Sequence, residues 1–482
     1  MDAAGLRRPR GRSSARIPGV IHDAHGWWLA QEPAVEPASP LAGDRAADVV
    51  IVGGGFAGMW TAWLLREAEP DAKVILLESG VCGHGPTGRN GGFVNSMWFS
   101  LPSMRPRFGE LGAIGVARAA QRAVDEIGEW CDAQGVDAWF RRGGYIQVST
   151  APVWDETWAD TVRACGELGE PDAVEVLSAS QVQARCASPV FREGAFFPRS
   201  ATVNPARLAL GLRARLIEAG VEVHENSRVH AMQAGRDGVA VRTADGAVRA
   251  GHAVLAAGGA QEALRPLRRR LTLTSSHMVM TEPVPDVLAE LGWAGGECIT
   301  DARHLLHYFR TTPDGRIAFG WGGGRCLAGA RTRGHAEVDA EVAAEVARHL
   351  VRFFPALAGR RIDHAWGGPI DVSPSHTPIV GSLDGRVHYG FGFTGNGVGP
   401  SRMVAHALCA LALDRRDEHS RLAIVEPQPR RVPPEPFRYI GGSIVRRAII
   451  SKEAAEELGR EPGSIADLVA GIPDRIGVQV GR

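Results

Sequence analysis

Apolar positions along this 482-residue chain recur with two different periods, and the alternation between them predicts a mixed architecture. Val49 to Val52 and Val74 to Leu77 are short unbroken apolar runs of the kind that form buried parallel strands. A helical stretch lies between them. Residues 110–134 carry Leu111, Ile114, Ala117, Ala120, Val124, Ile127 and Trp130 or Cys131 at helical spacing, so one face is expected in the core. Leu208, Leu212 and Leu216 form a further stripe, opened by Pro205 and ended by Gly220. Arg142 to Val148, Val221 to Val223, Arg228 to Met232 and His252 to Ala257 read as strands, with turns at Gly238 and Asp245-Gly246. Leu305 to Ile317 folds about Pro313-Asp314-Gly315 as a hairpin, which puts Tyr308 and Arg310 on one face. The pattern predicts an α/β fold, α+β overall, in which a Rossmann-like domain is interleaved with an antiparallel-sheet domain. Trp27, Trp28 and Leu29 are expected to pin an N-terminal arm to the body. At the other end, Pro427, Pro429, Pro433, Pro434 and Pro436 make a stiff strap, and Ile444, Val445, Ala448, Ile449 and Ala455 form a stripe expected to pack on the body.

The first strand carries the most specific chemistry. Gly53, Gly55 and Gly58 follow it as G-x-G-x-x-G, with Phe56 and Ala57 inside the motif. The first glycine permits the tight turn, the second lets backbone N–H groups approach a pyrophosphate, and the third lets the helix lie on the sheet. Glu78, followed by Ser79, ends the second strand, where a carboxylate can accept both ribose hydroxyls of an adenosine. Gly390, Gly392 and Gly395 repeat the spacing, but the chain beyond runs into charge and proline, which argues against a second nucleotide unit.

Charge and cysteine content narrow the class. Lys plus Arg balances Asp plus Glu at 54 each, so nothing points to nucleic acid or an anionic membrane. Seven scattered cysteines with no C-x-x-C read as reduced thiols of a cytoplasmic enzyme. No apolar run approaches the roughly 18 residues of a membrane span. Arg7 and Arg8 lack the apolar stretch of an export signal, and residues 1 to about 20 read as a solvated tail.

Thr87-Gly88-Arg89-Asn90-Gly91-Gly92 resembles the Ser-Gly-Arg-Asn-Gly-Gly segment of the D-amino-acid-oxidase-like FAD-dependent oxidoreductases, particularly their γ-glutamylputrescine oxidoreductase-like branch. Pro86-Thr87 stands where Ala-Ser is usual. The resemblance runs from about Trp27 to the C-terminal tail and implies bound FAD, without an identifiable covalent attachment site. It places Thr87, Gly88, Arg89, Asn90 and Gly91 along the pyrophosphate and flavin ring, and Val229 beside adenine. It assigns Ala257 and Gly258 to the second nucleotide-contacting element, and Gly395, Asn396, Gly397 and Val398 to the flavin N1–C2 edge. The implied division is an arm at 1–44, FAD-binding segments at 45–105, 204–264 and 364–425, a segment at 106–203 that is mainly substrate domain, a second substrate-domain segment at 265–363, and a strap and tail at 426–482.

The implied reaction is oxidation of a C–N bond in a small amine or amino acid, giving an imine that hydrolyses. Arg310, which can hold a carboxylate, and Tyr308 are the candidate substrate residues. The acceptor is oxygen or another carrier; the only lysines, Lys73 and Lys452, are not placed to activate oxygen. Tyr145 is expected to pack the sheet rather than reach substrate, and His304 and His307 are expected to be ordinary sheet or loop residues. A pyridine-nucleotide reductase and a non-catalytic FAD-binding protein are the alternatives.

Overall fold

Strand Arg45–Val52 sits in the middle of a parallel layer ordered Glu222–His224, Val74–Leu77, Arg45–Val52, Ala247–Leu255 and Val387–Phe391. The computed structural model describes residues 20–263, 267, 269–329, 331–425 and 431–475. The expected N-terminal tail with Arg7 and Arg8, and Pro427 and Pro429 of the strap, lie outside the described residues. Strand alternation divides the layer's side chains between two cores. Val49 and Ile51 face helices Phe56–Ala68, Pro205–Glu218 and Val398–Ala412. Val50 faces Val239, Val241 and Leu273 on the other side, beneath the meander built from Ala231–Gly235 and Gly238–Arg242.

The second sheet is mostly antiparallel and is built from later pieces of chain. Thr272–Thr281 pairs with Ile362–Val372 on one side and Ile317–Trp321 on the other, and His307–Thr311, Cys298–Asp301 and Tyr145–Val148 follow in order. Phe309, Phe319, Phe353, Phe354 and Trp293 fill its core against helix Ala340–Phe353. The chain returns to the parallel layer at Asn204, whose side-chain oxygen accepts from the N–H groups of Ala206 (3.0 Å) and Arg207 (3.2 Å) and so starts the next helix. It leaves again after Leu255 and comes back with Ile379–Leu383. The result is the interleaved α/β architecture.

The helix expected at 110–134 spans Leu101–Gln134, with a kink where Gly109 takes φ 68°. It buries its stripe in a core shared by the nucleotide-side helices and by Tyr145, Phe197 and Cys298 of the antiparallel sheet. Leu111 is 88% exposed. Residues spaced by three drift about 60° per step around a helix, which carries Leu111 off the face held by Ala117 and Ala120. Trp28 is fully buried beside Met278, Met280 and Trp366, so the N-terminal arm is anchored as expected. In the C-terminal helix Phe437–Glu457, Ala448 and Ile449 are buried while Ile444 is half exposed.

Candidate functional site

The turn after the first strand is held by its neighbours on both sides. Gly53 has φ 115°, a value that β-carbon sterics disfavour, and its N–H donates to the Leu77 carbonyl at 2.9 Å. A β-carbon on Gly58 would lie 2.0 Å from the Gly53 carbonyl oxygen, so only glycine lets helix Phe56–Ala68 start there. Gly55 caps that helix without a side chain, and the Phe56 N–H donates to Thr87 Oγ1 at 3.2 Å. Glu78 accepts from the Gly54 N–H (2.7 Å), the Gly80 N–H (2.8 Å) and Ser79 Oγ (2.9 Å). Its carboxylate is therefore aimed at the turn.

These parts open into one cleft of about 1520 Å³ that runs on to the antiparallel sheet. Ligand pockets typically hold about 300–1,000 Å³. Gly53, Gly55, Phe56, Ala57, Glu78, Ser79, Thr87, Arg89, Asn90, Gly91, Val229, Ala257, Gly258, Gly395, Asn396, Gly397 and Val398 all line it. Gly58 and Gly88 do not. Both are packing glycines, for a β-carbon on Gly88 would meet the Gly83 carbonyl oxygen at 2.5 Å. Asn90 braces its own loop, donating to the Thr87 carbonyl and accepting from the Gly92 N–H, each at 2.7 Å. Arg89 is buried. It donates to the Ala24 carbonyl at 2.6 Å and pairs with Glu337 at 3.2 Å, while burial draws its pKa below the usual value.

The far end of the cleft meets a second helix start. Gly397 caps Val398–Ala412 with no side-chain bond, and Asn396 Oδ1 is buried with no hydrogen-bond partner among the described residues. Two uncapped helix N-termini, a glycine cradle, an acid at the second strand's end and an orphaned acceptor fit a flavin dinucleotide.

The profile of the family described as DAO, FAD-dependent oxidoreductase, matches residues 48–411. The chain belongs to this family. This FAD-dependent oxidoreductase is 28% identical over 385 residues to the γ-glutamylputrescine oxidoreductase of Escherichia coli (strain K12), covering 78% of this chain and 85% of that one. It is 25% identical over 379 residues to the probable oxidoreductase OrdL of Haemophilus influenzae, covering 77% and 84%. Among solved structures, L-proline dehydrogenase from P. horikoshii aligns with TM-score 0.65 at 16% identity over 79% of this chain and 96% of that one. Glycine oxidase from Geobacillus kaustophilus aligns with TM-score 0.64 at 18% identity over 77% and 96%. These two share the fold. The profile match is narrower than the stretch from Trp27 to the tail, and helix Phe437–Glu457 lies beyond it.

On the antiparallel-sheet side of the oxidoreductase's cleft, Tyr308 is a lining residue, its ring lying against Gly91 and Gly320. Its hydroxyl is 2.7 Å from Ser276 Oγ, which donates to the Trp321 carbonyl at 2.9 Å. Arg310 does not line the cleft. It is 2% exposed, and its guanidinium donates to the carbonyls of Gly92, Val203 and Thr311, so it ties the sheet to the glycine-rich segment and pairs with no carboxylate among the described residues. Tyr145 stacks on Phe197 and bonds Thr300 Oγ1 at 2.6 Å, the packing role expected. His307 is fully buried between Asp301 (2.6 Å) and His349 (2.8 Å). Among the described residues no His, Cys, Asp and Glu cluster could hold a metal.

Two parts of the site were missed in the sequence. Asp371 lines the cleft and accepts from the N–H groups of Gly392 (2.7 Å) and Phe393 (3.3 Å), bracing the loop before Gly397. Burial pushes its carboxyl up to about 6. The only signal was an acid following the apolar Pro369-Ile370 near the end of strand Ile362–Val372, which also carries Asp363 and His364. The other missed part is the wall supplied by helix Phe437–Glu457.

Proposed function

We propose that this oxidoreductase oxidises the C–N bond of a small amine or amino acid to an imine, which water hydrolyses. The carrying observation is the cleft that joins the nucleotide cradle to Met278 and Tyr308 of the antiparallel sheet, with Phe93 beside them. FAD bound there supplies the hydride acceptor. An alkylamine has a pKa of about 10 and must be neutral to react. Apolar walls such as Met278 and Phe93 disfavour its charged form, so the chain needs no dedicated base. Tyr308 suits this reading, because its hydroxyl is engaged by Ser276 and burial raises its pKa, leaving it to position a substrate rather than to take a proton.

The names of the similar γ-glutamylputrescine oxidoreductase and glycine oxidase support an amine substrate. A second reading, oxidation of a hydroxy acid, draws on the L-2-hydroxyglutarate dehydrogenase of Escherichia coli O17:K52:H18 (strain UMN026 / ExPEC), 29% identical over 205 residues and 41% of this chain. That match spans 44% of that protein.

Neither lysine lines the cleft: Lys73 pairs with Glu222 at 3.5 Å and Lys452 with Asp467 at 2.5 Å. Oxygen use, if present, then depends on other residues. All seven cysteines are free thiols, which supports a cytoplasmic setting, and Cys409 is buried in its helix away from the cleft, which supports non-covalent FAD. No helix among the described residues is long and apolar enough to cross a membrane. Anaerobic mixing with a panel of amines tests the function. Flavin bleaching by an amine supports it, bleaching by NADH alone replaces it with a pyridine-nucleotide reductase, and inertness to both favours a binding protein. Admitting air afterwards separates oxygen from another acceptor by whether the colour returns.

A further inference from the structure

Helix Phe437–Glu457 stands outside the family match at 48–411, yet it forms a wall of the cleft through Gly441, Gly442, Val445, Arg446 and Ile449. It is fastened at both ends. Arg438 donates to the Leu271 carbonyl at 2.9 Å, Glu453 accepts from the Leu305 N–H at 3.1 Å, and Glu457 pairs with Arg303 (2.6 Å) and with Arg352. Gly442 brings the helix close, for a β-carbon there would lie 3.1 Å from Cys326 Sγ.

The arginines along the cleft are not equivalent. Arg89 is neutralised by Glu337 and Arg438 by Glu435. Arg228 and Arg333 also line the cleft but are exposed to water. Arg446 is half-buried and has no carboxylate partner among the described residues; its Nε donates to the Gly323 carbonyl at 2.9 Å, as does Nη2. Burial draws its pKa below the usual value and Arg325 and Arg447 push the same way, while Cys326 and the more distant Asp339 oppose them. A guanidinium drawn partly out of water with no carboxylate in contact is stabilised by an anion that enters beside it.

Its distance from the reacting end is bounded by the chain. Gly323 lies two residues beyond Trp321, whose carbonyl accepts from the Ser276 hydroxyl that bonds Tyr308. Two residues span at most about 7 Å. With the hydrogen bonds at either end added, Arg446 lies within roughly 20 Å of the Tyr308 hydroxyl, and both line the same cleft. Val445, Ile449 and Leu305 supply apolar surface on the same cleft.

We propose that Arg446 is a specificity-determining residue that binds a carboxylate at the end of the substrate remote from the oxidised amine. The inference rests on the amine-oxidation reading. Its test uses δ-aminovalerate and ε-aminocaproate, each compared with its primary amide, as anaerobic reductants of the flavin in the holoenzyme. The wild type should bind at least one acid more tightly than its amide. Arg446→Gln should raise the dissociation constant for that acid about 10- to 100-fold, the loss of a charge-assisted contact, while leaving the limiting rate of bleaching and the amide's dissociation constant unchanged. Arg446→Lys should restore part of the preference, and it decides the matter if the glutamine variant fails to retain FAD. Equal binding of acid and amide by the wild type, or equal weakening of both by Arg446→Gln, overturns the role of Arg446 and leaves the amine reading intact. If no amine in a broad panel bleaches the wild type, the amine reading falls and the inference falls with it.

Discussion

Glu225 is fully buried behind the glycine-rich segment, and removing it should loosen three parts of the nucleotide side together. Its carboxylate accepts from the N–H groups of Ala38 (2.6 Å) and Cys82 (2.8 Å) and from Arg213 Nε (2.8 Å) and Nη2 (2.7 Å). Burial by itself would raise its pKa. Arg213 and the two N–H groups outweigh that and hold it below the usual glutamate range. Glu225→Ala leaves the Arg213 guanidinium buried without its partner, a change that costs about 3–5 kcal/mol. At about 2.1 cal/mol/K per residue, the unfolding entropy of a chain this long is roughly 1 kcal/mol/K, so Tm should fall by about 3–5 °C. The assay is calorimetry of wild type, Glu225→Ala, Arg213→Met and the double variant at neutral pH. The double variant should lose clearly less than the two single losses added together, because the groups act as one unit. The stabilisation is present above the unfolded glutamate pKa of about 4.3 and fades as pH falls through the lower folded value, so the wild-type advantage should shrink in acid. A Tm change under about 1 °C, with additive single effects, would refute the reasoning.

Glu78→Ala should weaken FAD binding by about 1–3 kcal/mol, measured by titrating apoprotein, and unchanged affinity removes Glu78 from the ribose site. Asp371 has its carboxyl raised to about 6 by burial, so the folded state holds a proton that the unfolded chain loses near pH 4, and stability should decline as pH rises between those values. Asp371→Asn should flatten that part of the Tm profile, and an unaltered profile contradicts the assignment. Arg310→Ala should lower Tm by stranding the Val203 carbonyl and removing the second donor to the Gly92 carbonyl, while sparing the dissociation constant of an acidic amine. A selective loss of acidic substrates would return Arg310 to the substrate.

What could be read in advance was what local backbone chemistry dictates. The Gly53 turn, the helix start at Pro205 and the hairpin at Pro313-Asp314-Gly315 each need particular residue types at fixed offsets, and each offset is visible in one dimension. Arg310 shows where this stops. Strand alternation gave its face correctly, but a long side chain can end in the cleft or turn back on nearby carbonyls, and the carbonyls of Gly92 and Val203 belong to distant chain. Glu225 was invisible for the same reason, since Ala38, Cys82 and Arg213 converge on it only after folding. The C-terminal stripe forecast a packed helix. It could not say that the helix packs along the cleft, because periodicity identifies an apolar face without naming what that face covers.

The central claim is that the cleft oxidises carbon next to nitrogen. Its most direct test is anaerobic single-turnover reduction by matched pairs that share a carbon skeleton, one member bearing an amine and the other a hydroxyl at the same carbon. The account predicts that an amine bleaches the flavin and releases one equivalent of carbonyl product per flavin reduced, while its alcohol counterpart does not. Bleaching by a hydroxy acid with all amines inert would contradict it.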